Sequence, residues 1–128
     1  MKNIFASLFL LLLATSVFAQ GETTGKKTIY EFLQITTIES VVPGGLGRSR
    51  LLVADDKGQL EEIKLENFFS MVGINFGNIR ANDQTIAAKI NQLSSQGWEL
   101  TSVVTGSYSA DKSTGIFLTR YLLKREKN

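Results

Sequence analysis

The spacing of apolar positions changes repeatedly along the chain, and each change predicts an element. Residues 28–38, TIYEFLQITTI, carry β-branched and aromatic side chains on both parities, which predicts a strand covered on one face and partly shielded on the other. The following VVPGGLGRSR holds Pro43, Gly44, Gly45 and Gly47 and predicts a loop between antiparallel strands. Residues 49–54, SRLLVA, form the second expected strand. Asp55-Asp56-Lys57-Gly58 supplies the next turn, with Gly58 able to take a positive φ. The third strand, 59–65, sets Leu60, Glu62 and Lys64 against Glu61, Ile63 and Leu65, an alternation suited to an edge or a half-exposed face.

The period then lengthens. Leu65, Phe68, Phe69 and Val72 are spaced i, i+3, i+4, i+7, predicting a short helix over 66–72 that Gly73 ends. Residues 74–79 show no clear period and are expected to connect irregularly. Asn82 or Asp83 can cap a main helix over 83–95, whose stripe is Ile86, Ile90 and Leu93 with Ala87 flanking it. Residues 98–105 predict a fourth strand, 106–115 a polar turn and 116–125 a fifth strand. Strand, strand, strand, helix, strand, strand points to an α+β fold, an antiparallel sheet of four to five strands with one main helix on one face. The alternation needed for a parallel, doubly wound fold is missing.

The densest local signal is LSSQGWEL, residues 93–100. With Gly97 just past the helix end, Trp98 and Leu93 stand at the two positions that make the apolar contact of a Schellman cap. Glycine there takes a left-handed conformation without a Cβ clash, and the chain can enter a strand at once. Glu99 should then face away from the helix and Leu100 toward it. This register gives every residue of the motif a structural task except Glu99.

The N-terminal MKNIFASLFLLLLATSVFAQ reads as a secretory signal peptide over 1–19: Lys2 is the positive start, Ile4 opens an apolar run, and Val17-Phe18-Ala19 is a small-residue cleavage site. The run is too short for the roughly 20 apolar residues that span a bilayer. An exported protein is expected, periplasmic or extracellular, with no membrane span after cleavage. The polar stretch 20–26 should be a flexible leader and 27–128 a single domain.

Composition narrows the chemistry. The chain has no cysteine and no histidine, which excludes disulfides, imidazole or thiolate metal sites, and Ser-His or Cys-His nucleophiles. A formal net charge of +2 is no basic field. The one basic cluster, Lys124-Arg125-Glu126-Lys127, suits a solvated strand end better than a nucleic-acid surface. No cofactor and no nucleic-acid partner are expected.

INQLSSQGWELTSVV followed by FLTRYLLKR resembles the small bacterial domains grouped as domain of unknown function 4177. Leu93, Gly97, Trp98, Glu99, Leu100 and the end 121–125 carry the likeness, and TIYEFLQI is similar to the opening strand of such domains. The resemblance implies a sheet-and-helix fold, no assigned activity and no catalytic residues. Residues 65–79 look like an addition to the family's short form.

Three surfaces remain as candidates for function. The PGGLGRSR loop could hold an anion on backbone amides beside Arg48 and Arg50, although it lacks the GxxxxGK[ST] spacing and leads into a strand. LENFFSMVGINF, with Phe68, Phe69 and Phe76, either completes the core or forms an apolar patch for a partner or a second copy of the chain. Glu99 is the third. Asp55-Asp56 lacks the EF-hand spacing, and neighbouring Glu61 and Glu62 would point to opposite faces of a strand. The leading expectation is a non-enzymatic binding or protein-interaction module, its partner a protein or small ligand. The alternatives are a small enzyme using carboxylates such as Glu99 or Glu31, and a subunit that self-assembles through sheet edges or the aromatic segment.

Overall fold

The computed structural model describes residues 27–54, 57–109 and 114–127. The expected signal peptide and leader lie outside the described residues, as do Asp55 and Asp56. The elements are β1 (Tyr30–Val41), a 3₁₀ turn (Pro43–Gly45), β2 (Ser49–Ala54), β3 (Leu60–Leu65), the two-residue strands β4 (Phe69–Ser70) and β5 (Gly73–Ile74), α1 (Phe76–Ser95), β6 (Glu99–Ser109) and β7 (Gly115–Glu126). The larger sheet has the order β3-β2-β1-β7-β6, and all of its neighbours are antiparallel. β4 and β5 form a separate hairpin.

The long central pair β1 and β7 runs in register from Tyr30 opposite Glu126 to Val41 opposite Gly115. Leu33 and Ile35 of β1, Leu51 and Val53 of β2, Leu65 of β3 and Leu123 of β7 point to one face and are buried with Ile86 and Leu93 of α1 and with Trp98. Half-buried Ile63, Ile90 and Tyr121 pack around this cluster. β6 adds nothing to it, since every residue from Glu99 to Ser109 is exposed. Among the described residues, α1 therefore covers only part of the sheet's width.

Two expectations about helices are corrected. Residues 66–72 form no helix, and Val72 is 96% exposed while Leu65 is 2% exposed, so the supposed stripe has no common face. Asparagine amides hold this segment extended. Asn82 Oδ1 accepts from the Glu66 amide at 2.8 Å, and Asn82 Nδ2 donates to the Glu66 carbonyl at 2.9 Å. Asn67 Nδ2 donates to the Val42 and Phe69 carbonyls, both at 2.8 Å, and Asn78 Nδ2 donates to the Asn67 carbonyl at 2.7 Å. These bonds satisfy backbone groups of the segment away from a helix, while the buried Asn67 Oδ1 has no hydrogen-bond partner among the described residues.

The main helix starts seven residues before the expected Asp83, at Phe76. Its cap is Asn75, whose side chain accepts from the Gly77 and Asn78 amides at 3.0 and 3.2 Å. Asn82 is thus a buried clamp on Glu66 and caps nothing. The expected polar turn also shrinks, because β6 continues to Ser109 and β7 begins at Gly115.

At its C-terminus the helix closes as expected. Gly97 has φ +86°, its amide donates to the Ser94 carbonyl at 3.0 Å, and the Trp98 amide donates to the Leu93 carbonyl at 3.1 Å, which are the paired bonds of a Schellman motif. Trp98 and Leu93 are both buried.

Candidate functional site

The glycine loop and the aromatic segment, read separately from sequence, meet at one end of the sheet. Gly44 and Gly45 have φ of +74° and +73°, turning the chain sharply beneath β4. A Cβ built on Gly44 would lie 3.6 Å from Met71 Sδ, and one on Gly45 would lie 3.5 Å from the Phe69 carbonyl oxygen. Beside them Gly47 leaves no room for any side chain: a Cβ there would fall 2.3 Å from Asn67 Oδ1 and 2.5 Å from Ser40 Cβ. Asn67 therefore fastens the loop to the segment. The Phe68 amide completes the attachment by donating to the Ser40 carbonyl at 3.0 Å.

This arrangement leaves apolar side chains in water. Leu46, Met71, Val72, Ile74 and Phe76 are between 56% and 96% exposed. No charged residue occurs in the run 67–79. Met71 and Val72 form the tip of the β4–β5 hairpin, where a solvent-exposed turn ordinarily carries polar residues.

Next to the hairpin lies a concavity of about 470 Å³, lined by Val41, Pro43, Phe69, Tyr108, Ile116 and Phe117 among others. Its size falls in the range of small-ligand and side-chain pockets. Phe68 supports one wall, its ring centroid 6.0 Å from that of Phe117. Of the candidate residues, Phe68 and Phe69 are brought to this place, and Phe76 projects from the adjoining start of α1, 72% exposed.

The remaining candidates lie elsewhere. Arg48 is exposed in the loop, while Arg50 on β2 pairs with Glu62 of β3 and donates to the Ser49 carbonyl, so the two do not converge on an anion site. Glu99 is exposed and pairs with Lys124 at 3.7 Å. Glu31, the other carboxylate considered, pairs with Arg125 at 3.2 Å.

No family model and no curated protein matches the chain. Among the described residues, no group of three or more acidic side chains could hold a metal ion, and no helix is long and apolar enough to cross a membrane.

Electrostatics give one further polar feature, on the helix-covered side. Glu39 is held above the usual carboxylate range by burial; the hydrogen bond from Asn82 Nδ2, 3.1 Å long, works against this, and Asp83 adds repulsion. The Tyr121 phenol is pushed up, first by burial and then by the Glu39 carboxylate. Glu39, through its bond from Asn82, joins α1 to the sheet. Sequence reading missed Glu39, Asn67, Asn78 and Asn82 as a set. The one available signal was the number of asparagines between positions 67 and 82, too many for an ordinary amphipathic helix.

Proposed function

We propose that the protein is an exported, non-enzymatic interaction module that binds an apolar segment of a partner protein at the end of its sheet. The observation that carries this reading is the uncharged surface of Leu46, Met71, Val72, Ile74 and Phe76 beside the 470 Å³ concavity. Exposed apolar patches rimmed by polar residues mark interaction sites in soluble proteins. A protruding hairpin tip next to a concave apolar wall can grip a partner's side chain from two directions. Export is the function's setting on the reading of residues 1–19. Membership of the domain of unknown function 4177 group, proposed on the Leu93 to Leu100 motif, agrees with this and supplies no activity of its own.

The test is affinity capture from an envelope extract with the wild type and with a Met71→Glu/Val72→Glu variant. A protein recovered by the wild type and lost with the variant, while both keep the same melting midpoint, is the expected result. Equal recovery by both would remove the hairpin from recognition. Turnover of a substrate by the purified protein, abolished by Glu31→Gln or Glu99→Gln, would replace this reading with the carboxylate enzyme.

A further inference from the structure

The two edges of the sheet are built differently. β3 is six residues long, and its charged side chains are engaged: Glu61 with Lys89 at 2.6 Å, Glu62 with Arg50, and Lys64 with Glu66 at 3.6 Å. Charges along a short strand are a common guard against pairing with another chain. β6 is eleven residues long and carries no charge after Glu99. Among the described residues it pairs only with β7, so from Ser102 to Tyr108 the backbone donors and acceptors along its outer side have no strand partner there. Its apolar side chains project on both faces, with Leu100 and Val103 on the helix side and Val104 and Tyr108 on the other.

We propose that β6 pairs with β6 of a second copy of this chain, antiparallel and about a two-fold axis, joining two five-stranded sheets edge to edge. This stands independently of the apolar end and its partner. Three features select a second copy. The uncharged strand brings no like charges together when it meets itself, whereas like charges directly opposite would be destabilising.

The register is also limited by the strand. A bulge lies between Leu100 and Ser102, with the Thr101 hydroxyl donating to the Leu122 carbonyl at 2.9 Å, so regular pairing starts at Ser102. The strand ends at Ser109. A two-fold axis perpendicular to the sheet keeps each face on its own side and therefore opposes residues of the same parity. An axis at Thr105 uses as much of this regular stretch as any same-parity axis can, opposing Thr105 to itself, Val103 to Ser107 and Ser102 to Tyr108.

That register also places Val104 of each copy opposite Gly106 of the other. A Cβ at Gly106 would meet nothing within 4 Å, so the valine lies over a bare stretch of backbone and shields it. Thr105 itself points to the helix side, where its hydroxyl is 2.9 Å from that of Thr119. The joined sheet leaves a floor of Val103, Thr105 and Tyr121 from both copies between the two helices, a surface neither copy has alone.

The test is molar mass by sedimentation equilibrium over a range of protein concentration. The wild type should move toward twice the chain mass, and Thr105→Lys should weaken the association by roughly tenfold or more through like charges at the axis. Because the chain has no cysteine, Thr105→Cys supplies a second reading that does not depend on how well the lysine variant folds. Under mild oxidation it should form a covalent dimer, whereas Arg48→Cys in the exposed loop should not. A wild type that stays monomeric at every concentration overturns the proposal. So does a dimer that Thr105→Lys leaves intact. A dimer lost instead with Met71→Glu/Val72→Glu would place self-association at the apolar end, and overturns it too.

Discussion

Trp98 at one end of the sheet and the segment 71–76 at the other place large apolar side chains in opposite surroundings. At the end where α1 enters β6, Trp98 is only 5% exposed, and polar side chains form its cover. The Arg125 guanidinium lies 4.4 Å above the indole, donates to the Gln96 carbonyl at 3.1 Å and pairs with Glu31. Lys89, itself buried, reaches Glu61 nearby. One arginine thus stacks on the aromatic face and satisfies a carbonyl at the helix end. At the other end Met71, Val72 and Phe76 have no such cover. The protein has the means to shield large apolar groups and leaves this set in solvent, which is the strongest reason to read it as a surface for something else.

The comparison breaks first at Trp98. Trp98→Ala should cost about 3 to 5 kcal/mol of stability, measured by urea unfolding, because it empties the closed end; a cost below about 1 kcal/mol would mean that this end is not packed as described. Next comes the joint of the open end. Gly47→Ala should destabilise by about 1 to 3 kcal/mol, since the methyl group would displace Asn67 and Ser40. An unchanged midpoint would show that the loop is not fastened there. Gly97→Ala should lose about 1 kcal/mol through the positive φ of the cap, with no effect on partner capture at the far end.

The smallest effect concerns Glu39. Its folded-state pKa is raised above the usual 4.5, so its contribution favours the fold at low pH, is fully present below the unfolded value, and is lost as pH rises through the folded value. Glu39→Gln should therefore raise the melting temperature at neutral pH and flatten the profile between pH 4.5 and that raised value. A lower melting temperature at neutral pH would reverse the assigned sign.

How much could be read in advance depended on whether the signal was local. The strand 49–54 matches β2 at both boundaries, where turn residues on either side mark its ends, and the helix-to-strand junction follows the predicted cap, because hydrogen bonds among neighbours decide that cap. The segment 66–72 had a helical period and no helix. Its conformation is set by Asn82, sixteen residues away from Glu66, by Ser40 near the end of β1 and by Val42 just beyond it. Tertiary bonds of this kind leave no periodic trace in a sequence. The same distance hid the candidate site, where Pro43 and Phe69 were both noticed but nothing in their spacing placed them side by side. The basic tail is a smaller lesson: Arg125 and Lys124 cover the Trp98 and Tyr30 rings, a task that their charge alone does not reveal.

The central claim is that the end of the sheet near Met71 and Phe69 binds apolar groups while the end near Trp98 is closed. Titration with an environment-sensitive apolar dye tests it directly, because the only tryptophan lies at the closed end and its near-ultraviolet circular dichroism reports whether the fold stays native. The account predicts saturable, single-site enhancement of dye fluorescence that Met71→Glu/Val72→Glu abolishes while the Trp98 signal stays unchanged. Enhancement that survives this variant, or that appears only as the Trp98 signal collapses, would contradict it.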